Sequence, residues 1–239
     1  MRSIILLVGG KGTRLGYLTK KTPKCLVKIH NKPFLYYLLK QFEENNIKTV
    51  YLCSKYKSKE INKFIANYKS LKLDIKIVND GKDYIGTGGS IKKIIKYLDD
   101  DFFVQNGDTY LNVNYDYLYN IINNSNKSLI CYSDFKYNTL DIPNLSTKKD
   151  KILNYNKDNN ENNNSIDAGL YIFKKDNFKN ITKKNFDLSL LINELINKKQ
   201  LRGYRIKRKF YEIGSFKGLA DFGKYVKKNA GKTLDETNS

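Results

Sequence analysis

The chain has 239 residues and carries 44 Lys and Arg against 24 Asp and Glu, a net charge of +20 at pH 7. Hydrophobic residues are 40% of it and aromatic residues 13%, which suffices for a sizeable core. No run reaches the length of a membrane span, and a single histidine, His30, removes most Ser/His and Cys/His hydrolase readings.

Residues 3–8 read as a short, buried strand stopped by glycines. Over 34–45, Leu35, Leu38, Leu39 and Phe42 repeat at i, i+3, i+4 and i+7, one face of a helix. A strand at 49–54, a helix at 57–68 and a strand at 73–78 follow. Ile91, Ile94, Ile95 and Leu98 mark a helix over 87–98, and 101–108 is a strand running into a turn. This βαβα alternation predicts a three-layer, mostly parallel α/β sheet of Rossmann-like type. The second half is less regular. Residues 128–133 and 167–173 are strands, with a polar stretch between them. Within that stretch, 156–165 (NKDNNENNNS) is low-complexity and reads as a mobile loop or hairpin tip. A helix at 187–198, a short strand at 210–214 and a helix at 216–228 close the chain. The pattern suits one domain over 1–230, with a half at about 1–110, a smaller β-rich half at about 111–215, and a tail at 231–239.

Cys25, Cys53 and Cys131 are scattered beside apolar residues, a reduced, cytoplasmic pattern with no metal spacing. The lysines are scattered too, and no nucleic-acid-binding motif accompanies them. The charge therefore reads as solvated surface, with neither nucleic acid nor membrane as an expected partner.

The chemistry concentrates in "VGGKGTRLG" (8–16), a glycine-rich turn after the first strand. A Walker loop would need G-x-x-x-x-G-K-[ST], which is absent. Gly10, Gly12 and Gly16 give G-x-G-x-x-x-G, one residue off the dinucleotide fingerprint, and the second strand lacks the ribose-binding acid that fingerprint requires. The turn also runs toward Thr22-Pro23, where proline disfavours helix in the preceding residue. Backbone N–H groups from Gly10 to Thr13 can still wrap a phosphate. Ligands of parallel sheets bind beyond the carboxyl ends of the strands. "VGGKGTR" and "NGDT" (106–109) both lie at such ends, so they should line one cleft.

Gly9-Gly10-Lys11-Gly12-Thr13-Arg14, then Pro23-Lys24-Cys25-Leu26 and Lys32-Pro33, resembles the N-terminal signature of the sugar-1-phosphate nucleotidyltransferases, G-G-x-G-T-R-L … P-K-x-L … K-P. The likeness continues through "IGTGGSIK" (85–92), "QNGDT" (105–109), "DAGLY" (167–171) and "YEIGS" (211–215), in the family's order and over about nine-tenths of the chain. The G-T-G-G and N-G-D-T variants look closest to the heptose-1-phosphate guanylyltransferase branch.

The resemblance implies an enzyme that joins a nucleoside triphosphate, GTP by the branch, to a sugar 1-phosphate. Pyrophosphate is released and an NDP-sugar for surface polysaccharide synthesis is formed. Arg14 and Lys24 would be catalytic, neutralising the reacting phosphates. Val8, Gly9, Gly10, Lys11, Gly12, Thr13 and Gly88 would bind the nucleotide. Asn106, Gly107, Lys157, Asp167, Ala168 and Gly169 would bind the sugar phosphate, with Asn156 where the family has glutamate before its lysine and Asp167 where it has asparagine. Asp108 and Glu212 would hold Mg²⁺, Glu212 standing in place of the usual aspartate. Strand alternation puts Glu212 on the face opposite Tyr211 and Ile213. Three rivals remain at this point: a cytidylyltransferase acting on a non-sugar phosphate, an NADP-binding oxidoreductase, and a non-catalytic nucleotide- or nucleic-acid-binding protein. The oligomeric state is open, a homodimer being one option.

Overall fold

The first strand, β1 (Ser3–Leu7), is apolar along its length because both of its faces are covered. Ile4 and Leu6 enter one core and Ile5 the other. The computed structural model describes residues 2–68, 72–81, 83, 85–123, 125–134, 142–149, 151–156 and 161–229. After β1 come a short helix α1 (Tyr17–Lys21) and the two-residue strands β2 (Lys28–Ile29) and β3 (Lys32–Pro33). The first half continues with α2 (Phe34–Glu44), β4 (Thr49–Ser54), α3 (Ser58–Asn67), β5 (Asp74–Asn79), α4 (Gly86–Ile94) and β6 (Asp101–Asn106). The second half holds β7 (Thr109–Tyr110), α5 (Tyr115–Asn123), β8 (Ser128–Asp134), β9 (Leu145–Lys148), β10 (Lys151–Tyr155) and β11 (Ser165–Lys174). Then follow α6 (Leu188–Asn197), β12 (Leu201–Ile206), β13 (Tyr211–Glu212) and α7 (Phe216–Lys228).

Among the described residues, nine strands form one sheet, with the path β10-β9-β11-β6-β1-β4-β5 and with β8 and β12 branching from β11. The stretch β6-β1-β4-β5 is parallel, as the alternation predicts. Beyond β6 the sheet turns antiparallel, through β11 against β6 and β8 against β11, and β12 then adds parallel to β8. Helices cover both faces. Leu38 of α2, Ile61 of α3 and Leu118 of α5 belong to one core; Ile91 of α4 and Leu191 of α6 belong to the other. No helix among the described residues is long and apolar enough to cross a membrane.

Several elements lie outside the sequence-based expectation. α5 is built from YDYLYNIIN, whose tyrosines and asparagines are indifferent helix formers. It is helical because Tyr115, Leu118 and Ile122 reach the core together. β12 contains a glycine and two arginines and is held by a continuous parallel register with β8. β9 and β10 pair as a hairpin inside the polar stretch between the strands expected at 128–133 and 167–173, where no strand is expected. Two expected elements shrink. The 87–98 helix ends at Ile94 and tightens into a 3₁₀ turn, and the 210–214 strand keeps only Tyr211 and Glu212. Residues 157–160 of the low-complexity segment and the 231–239 tail lie outside the described residues.

Candidate active site

The glycine loop leaves β1 with the Val8 N–H donating to the Cys53 carbonyl at 2.9 Å, which prolongs the β1–β4 ladder by one residue. Gly12 then adopts φ +65°, and Thr13 to Leu15 form a 3₁₀ turn closed by Gly16 at φ +52°. The dinucleotide fingerprint would start a helix within the loop. Here helix begins only at Tyr17. Leu15 is fully buried and anchors the turn, and the Thr19 hydroxyl donates to the Gly12 carbonyl at 2.9 Å. Among the described residues, the backbone N–H groups of Gly10 to Arg14 donate to no backbone carbonyl, so they are available to an anion.

Lys24 opens a 3₁₀ turn after Pro23 and packs against this loop. A Cβ on Gly12 would lie 3.1 Å from the Lys24 Cβ. The Lys24 Nζ donates to Asp108 Oδ2 at 2.5 Å, across 84 residues of sequence. Asp108 stands in the turn after β6. That turn closes on the end of β1 through a Gly107 N–H to Leu7 carbonyl bond of 3.0 Å. A Cβ at Gly107 would meet Val8 Cγ1 at 2.5 Å and the Leu7 carbonyl oxygen at 2.8 Å, so a side chain there would push the two strand ends apart.

Glu212 arrives from the far end of the chain. β13 pairs antiparallel with β7, Glu212 opposite Thr109, and the Ile213 N–H donates to the Asp108 carbonyl at 2.9 Å. This two-residue ladder sets the two carboxylates on neighbouring segments. Ile213 is fully buried and Tyr211 packs on Phe222 and Tyr225, so Glu212 takes the opposite face, as strand alternation predicts. Arg14 Nη2 donates to Glu212 Oε1 at 3.3 Å. Two cation–carboxylate pairs, Lys24–Asp108 and Arg14–Glu212, therefore stand together at the carboxyl ends of β1 and β6.

Of these four residues Asp108 lines a cleft of about 910 Å³, together with Gly9, Gly10, Lys11, Lys55, Asp80, Thr87, Ser90 and Asn106, among others. The expectation that "VGGKGTR" and "NGDT" share one cleft is met by these residues. Asp80 was not singled out from the sequence. It follows β5, and the rule that ligands gather at carboxyl ends of parallel strands, applied to Asn79-Asp80-Gly81, would have found it. Ser90 donates to Asp80 Oδ2 at 2.8 Å, while Oδ1 is buried without a hydrogen-bond partner. Burial pushes the Asp80 carboxyl above the ordinary aspartate range, against the opposing pull of Ser90, Lys93 and Lys55.

Several expected site residues are placed otherwise. Gly88 turns from the cleft to the α6 side. Its N–H donates to the Phe186 carbonyl at 3.0 Å, and a Cβ there would meet the Phe186 ring at 2.2 Å. Gly86 and Thr87 line the cleft in its stead. Val8 is buried against Gly107. Ala168 is fully buried in the core and offers no surface to a sugar. Asp167 accepts from the Tyr155 and Tyr171 hydroxyls through Oδ2 and from the Gly169 N–H, at 2.8 Å, through Oδ1. Those bonds pin the irregularity in β11 between Asp167 and Tyr171. Gly169, at φ +68°, comes close to Asn106, whose Nδ2 would be 2.6 Å from a Cβ there, so these two expected sugar-side residues do meet. Lys157 lies outside the described residues. The cysteines supply no nucleophile. Burial raises the Cys25 thiol to about 12, and Cys53 and Cys131 are likewise raised by burial.

Residues 3–138 match the family described as nucleotidyl transferase. The chain belongs to that family. The nucleotidyltransferase is 29% identical over 218 residues to the D-glycero-alpha-D-manno-heptose 1-phosphate guanylyltransferase of Campylobacter jejuni, covering 88% of this chain and 93% of that protein. It is 26% identical over 236 residues to the bifunctional protein GlmU of Methanocaldococcus jannaschii. That match covers 93% of this chain but 53% of the relative, so the chain spans about half of its length. The fold matches the crystal structure of HddC from Yersinia pseudotuberculosis with a TM-score of 0.80 at 24% identity, over 94% of this chain and 99% of that one. Loop N–H groups, a guanidinium and an ammonium thus stand near one another, a donor set of the kind that binds anionic oxygens.

Proposed function

We propose that this nucleotidyltransferase transfers GMP from GTP to a manno-configured heptose 1-phosphate and releases pyrophosphate. The observation that carries the reaction class within the family is the convergence of Arg14, Lys24, Asp108 and Glu212 at one cleft edge. A sugar phosphate is already anionic near neutral pH, its second pKa being about 6, so its oxygen attacks without a general base. One O–P bond forms at the α-phosphorus as the bond to the β-phosphate bridge breaks. The electron pair leaves on pyrophosphate. Catalysis then consists of alignment and charge neutralisation, which Arg14 and Lys24 provide. Asn106 and Gly169 form the wall beside which the sugar phosphate lies.

The base preference rests on two supports. One is the likeness to the Campylobacter guanylyltransferase. The other is Asp80, a carboxylate in the cleft wall. Guanine alone among the four bases offers two adjacent donors, its ring N1–H and its N2 amino group, to such an acceptor. The heptose rests on likeness alone.

Asp108 and Glu212 fit Mg²⁺ in donor chemistry, since both present hard carboxylate oxygens from paired segments and each already faces a cation. No group of three or more His, Cys, Asp or Glu converges among the described residues. These two carboxylates would therefore hold the ion with water and phosphate oxygens completing its shell. Bound there, Mg²⁺ would add to the neutralisation of the triphosphate.

The test is pyrophosphate release across the four nucleoside triphosphates and a panel of sugar 1-phosphates, for wild type and Asp80→Asn. GTP with a heptose 1-phosphate should give the highest kcat/KM, and Asp80→Asn should lower it for GTP more than for the other three. A wild-type preference for another triphosphate overturns the base assignment, and release only with non-sugar phosphates overturns the sugar.

A further inference from the structure

Two exposed aromatic rings stand at the rim of this site and touch each other. Tyr17 is 71% exposed and Phe216 49%, and their rings stack with centroids 6.0 Å apart and planes 29° from parallel. Tyr17 is the first residue of α1, three positions after Arg14. Phe216 is the first residue of α7, four positions after Glu212. The same two segments are thus bridged twice, once by the Arg14–Glu212 ion pair and once by the ring stack.

The two bridges differ in what substrate does to them. The ion pair is long at 3.3 Å, with the Arg14 side chain 71% exposed, the kind of contact that water and salt weaken. On the reading of Arg14 and Glu212 given above, it is also exchanged during the reaction, because Arg14 turns to phosphate. The ring stack involves no charge and faces no such competition. It is therefore the tie that persists while Arg14 works.

The loop needs such a tie. Arg14 sits in the middle of a three-residue turn between Gly12 and Gly16, both at positive φ; buried Leu15 anchors one side of the turn, while the Arg14 side chain itself is exposed. On the other side the segment is rigid. The Ser215 hydroxyl accepts from the Gly218 N–H at 3.0 Å, capping α7, and a Cβ at Gly218 would lie 1.9 Å from the Glu212 carbonyl oxygen. Phe216 thus projects from a fixed helix start onto the Arg14 loop.

We infer that Tyr17 and Phe216 are positioning residues: their stacked rings brace the Arg14 turn against the start of α7, so that the guanidinium stays aligned once it has left Glu212. This rests on the proposed role of Arg14, and the experiment separates the two. Tyr17→Ala and Phe216→Ala should each lower kcat about tenfold, a fraction of the loss that a misplaced reacting group brings. KM for the triphosphate should stay within about twofold, because the rings touch no substrate. Tyr17→Phe should restore the rate, since it keeps the ring, and Tyr17→Leu should not. In an Arg14→Ala background Tyr17→Ala should cost nothing further, the mark of a residue acting through Arg14. Amide hydrogen exchange at Leu15 and Gly16, whose N–H groups donate to the Gly12 and Thr13 carbonyls at 3.0 Å, reads the brace without any substrate, and it should quicken about tenfold in both alanine variants. Unchanged exchange overturns the brace whatever the activity. Quickened exchange with an undiminished kcat, with Tyr17→Leu as active as Tyr17→Phe, or with a full loss in the Arg14→Ala background, overturns its role in positioning Arg14.

Discussion

Replacing Lys24 by methionine separates what this side chain does for stability from what it does for chemistry. Its ammonium lies 2.5 Å from Asp108 Oδ2, with the two side chains 15% and 24% exposed. At that distance the Coulomb attraction is about 7 kcal/mol for an effective dielectric of 20. Desolvation of both groups offsets most of it. Removing one partner leaves a half-buried carboxylate without its cation, at a cost of about 2–3 kcal/mol once the residual exposure is allowed for. A chain of this size shifts its melting temperature by about 2–4 °C per kcal/mol, so Lys24→Met should melt about 4–12 °C lower by calorimetry. Adding Asp108→Asn removes the stranded charge, and the double variant should recover at least half of that loss. Activity should not recover. Pyrophosphate release should fall about 10²- to 10³-fold in Lys24→Met, the scale of one preorganised donor, and stay low in the double variant. A double variant no more stable than the single one would show that the pair is not the source of the loss. A Lys24→Met enzyme within about threefold of wild type would remove Lys24 from the chemistry.

Arg14→Ala should lower kcat about 10²-fold, and Arg14→Lys should not restore it, because a point charge lacks the planar fork; steady-state kinetics on both variants checks this. Glu212→Gln keeps the shape and loses the charge. A magnesium titration should show a raised Mg²⁺ requirement in it and in Asp108→Asn, with the double variant far from multiplicatively worse. Gly169→Ala places a Cβ 2.6 Å from Asn106 Nδ2 at a positive φ, and initial rates should show KM rising for the sugar phosphate more than for the triphosphate. The Asp80 carboxyl binds its proton more tightly folded than unfolded. Its stabilising contribution is therefore complete at low pH and is lost as pH rises through the raised folded value. Asp80→Asn should accordingly stabilise the ligand-free protein by about 1 kcal/mol at pH 7, and melting curves should show that gain vanishing as pH falls toward the ordinary aspartate range.

The parallel half of the fold was legible because each of its strands is an apolar run and each of its helices has a one-faced repeat. α5 and β12 were not, because their residues state no preference of their own. Tyr115 becomes a helical residue only by reaching Phe42 and Phe103, and Gly203 becomes a strand residue only by lying against Ile130. The site divides in the same way. Gly12 could be read in sequence because its turn demands a glycine, and Gly107 and Asp108 because they stand in the "QNGDT" motif that carries the family resemblance. Gly88 could not be assigned, because its glycine serves the ring of Phe186, 98 positions away. Asp167 carries the charge expected of a ligand-facing residue, yet its oxygens are taken by two tyrosines and a backbone N–H that no local pattern announces.

The ladder between β7 and β13 also fixes when the enzyme comes into being. Asp108 waits for a strand that is 104 residues downstream. During synthesis at roughly 5–20 residues per second, the parallel half can be assembled for at least about five seconds before Glu212 is made. In that interval the nascent chain has its glycine loop and the Lys24–Asp108 pair, but neither the second carboxylate nor the ring that braces Arg14. A chain cut short before residue 212 would lack Ile213 and Phe222, both fully buried in the core, as well as the second carboxylate. Among the described residues β13 is the last strand in chain order, and it is the one that brings Glu212 beside Asp108.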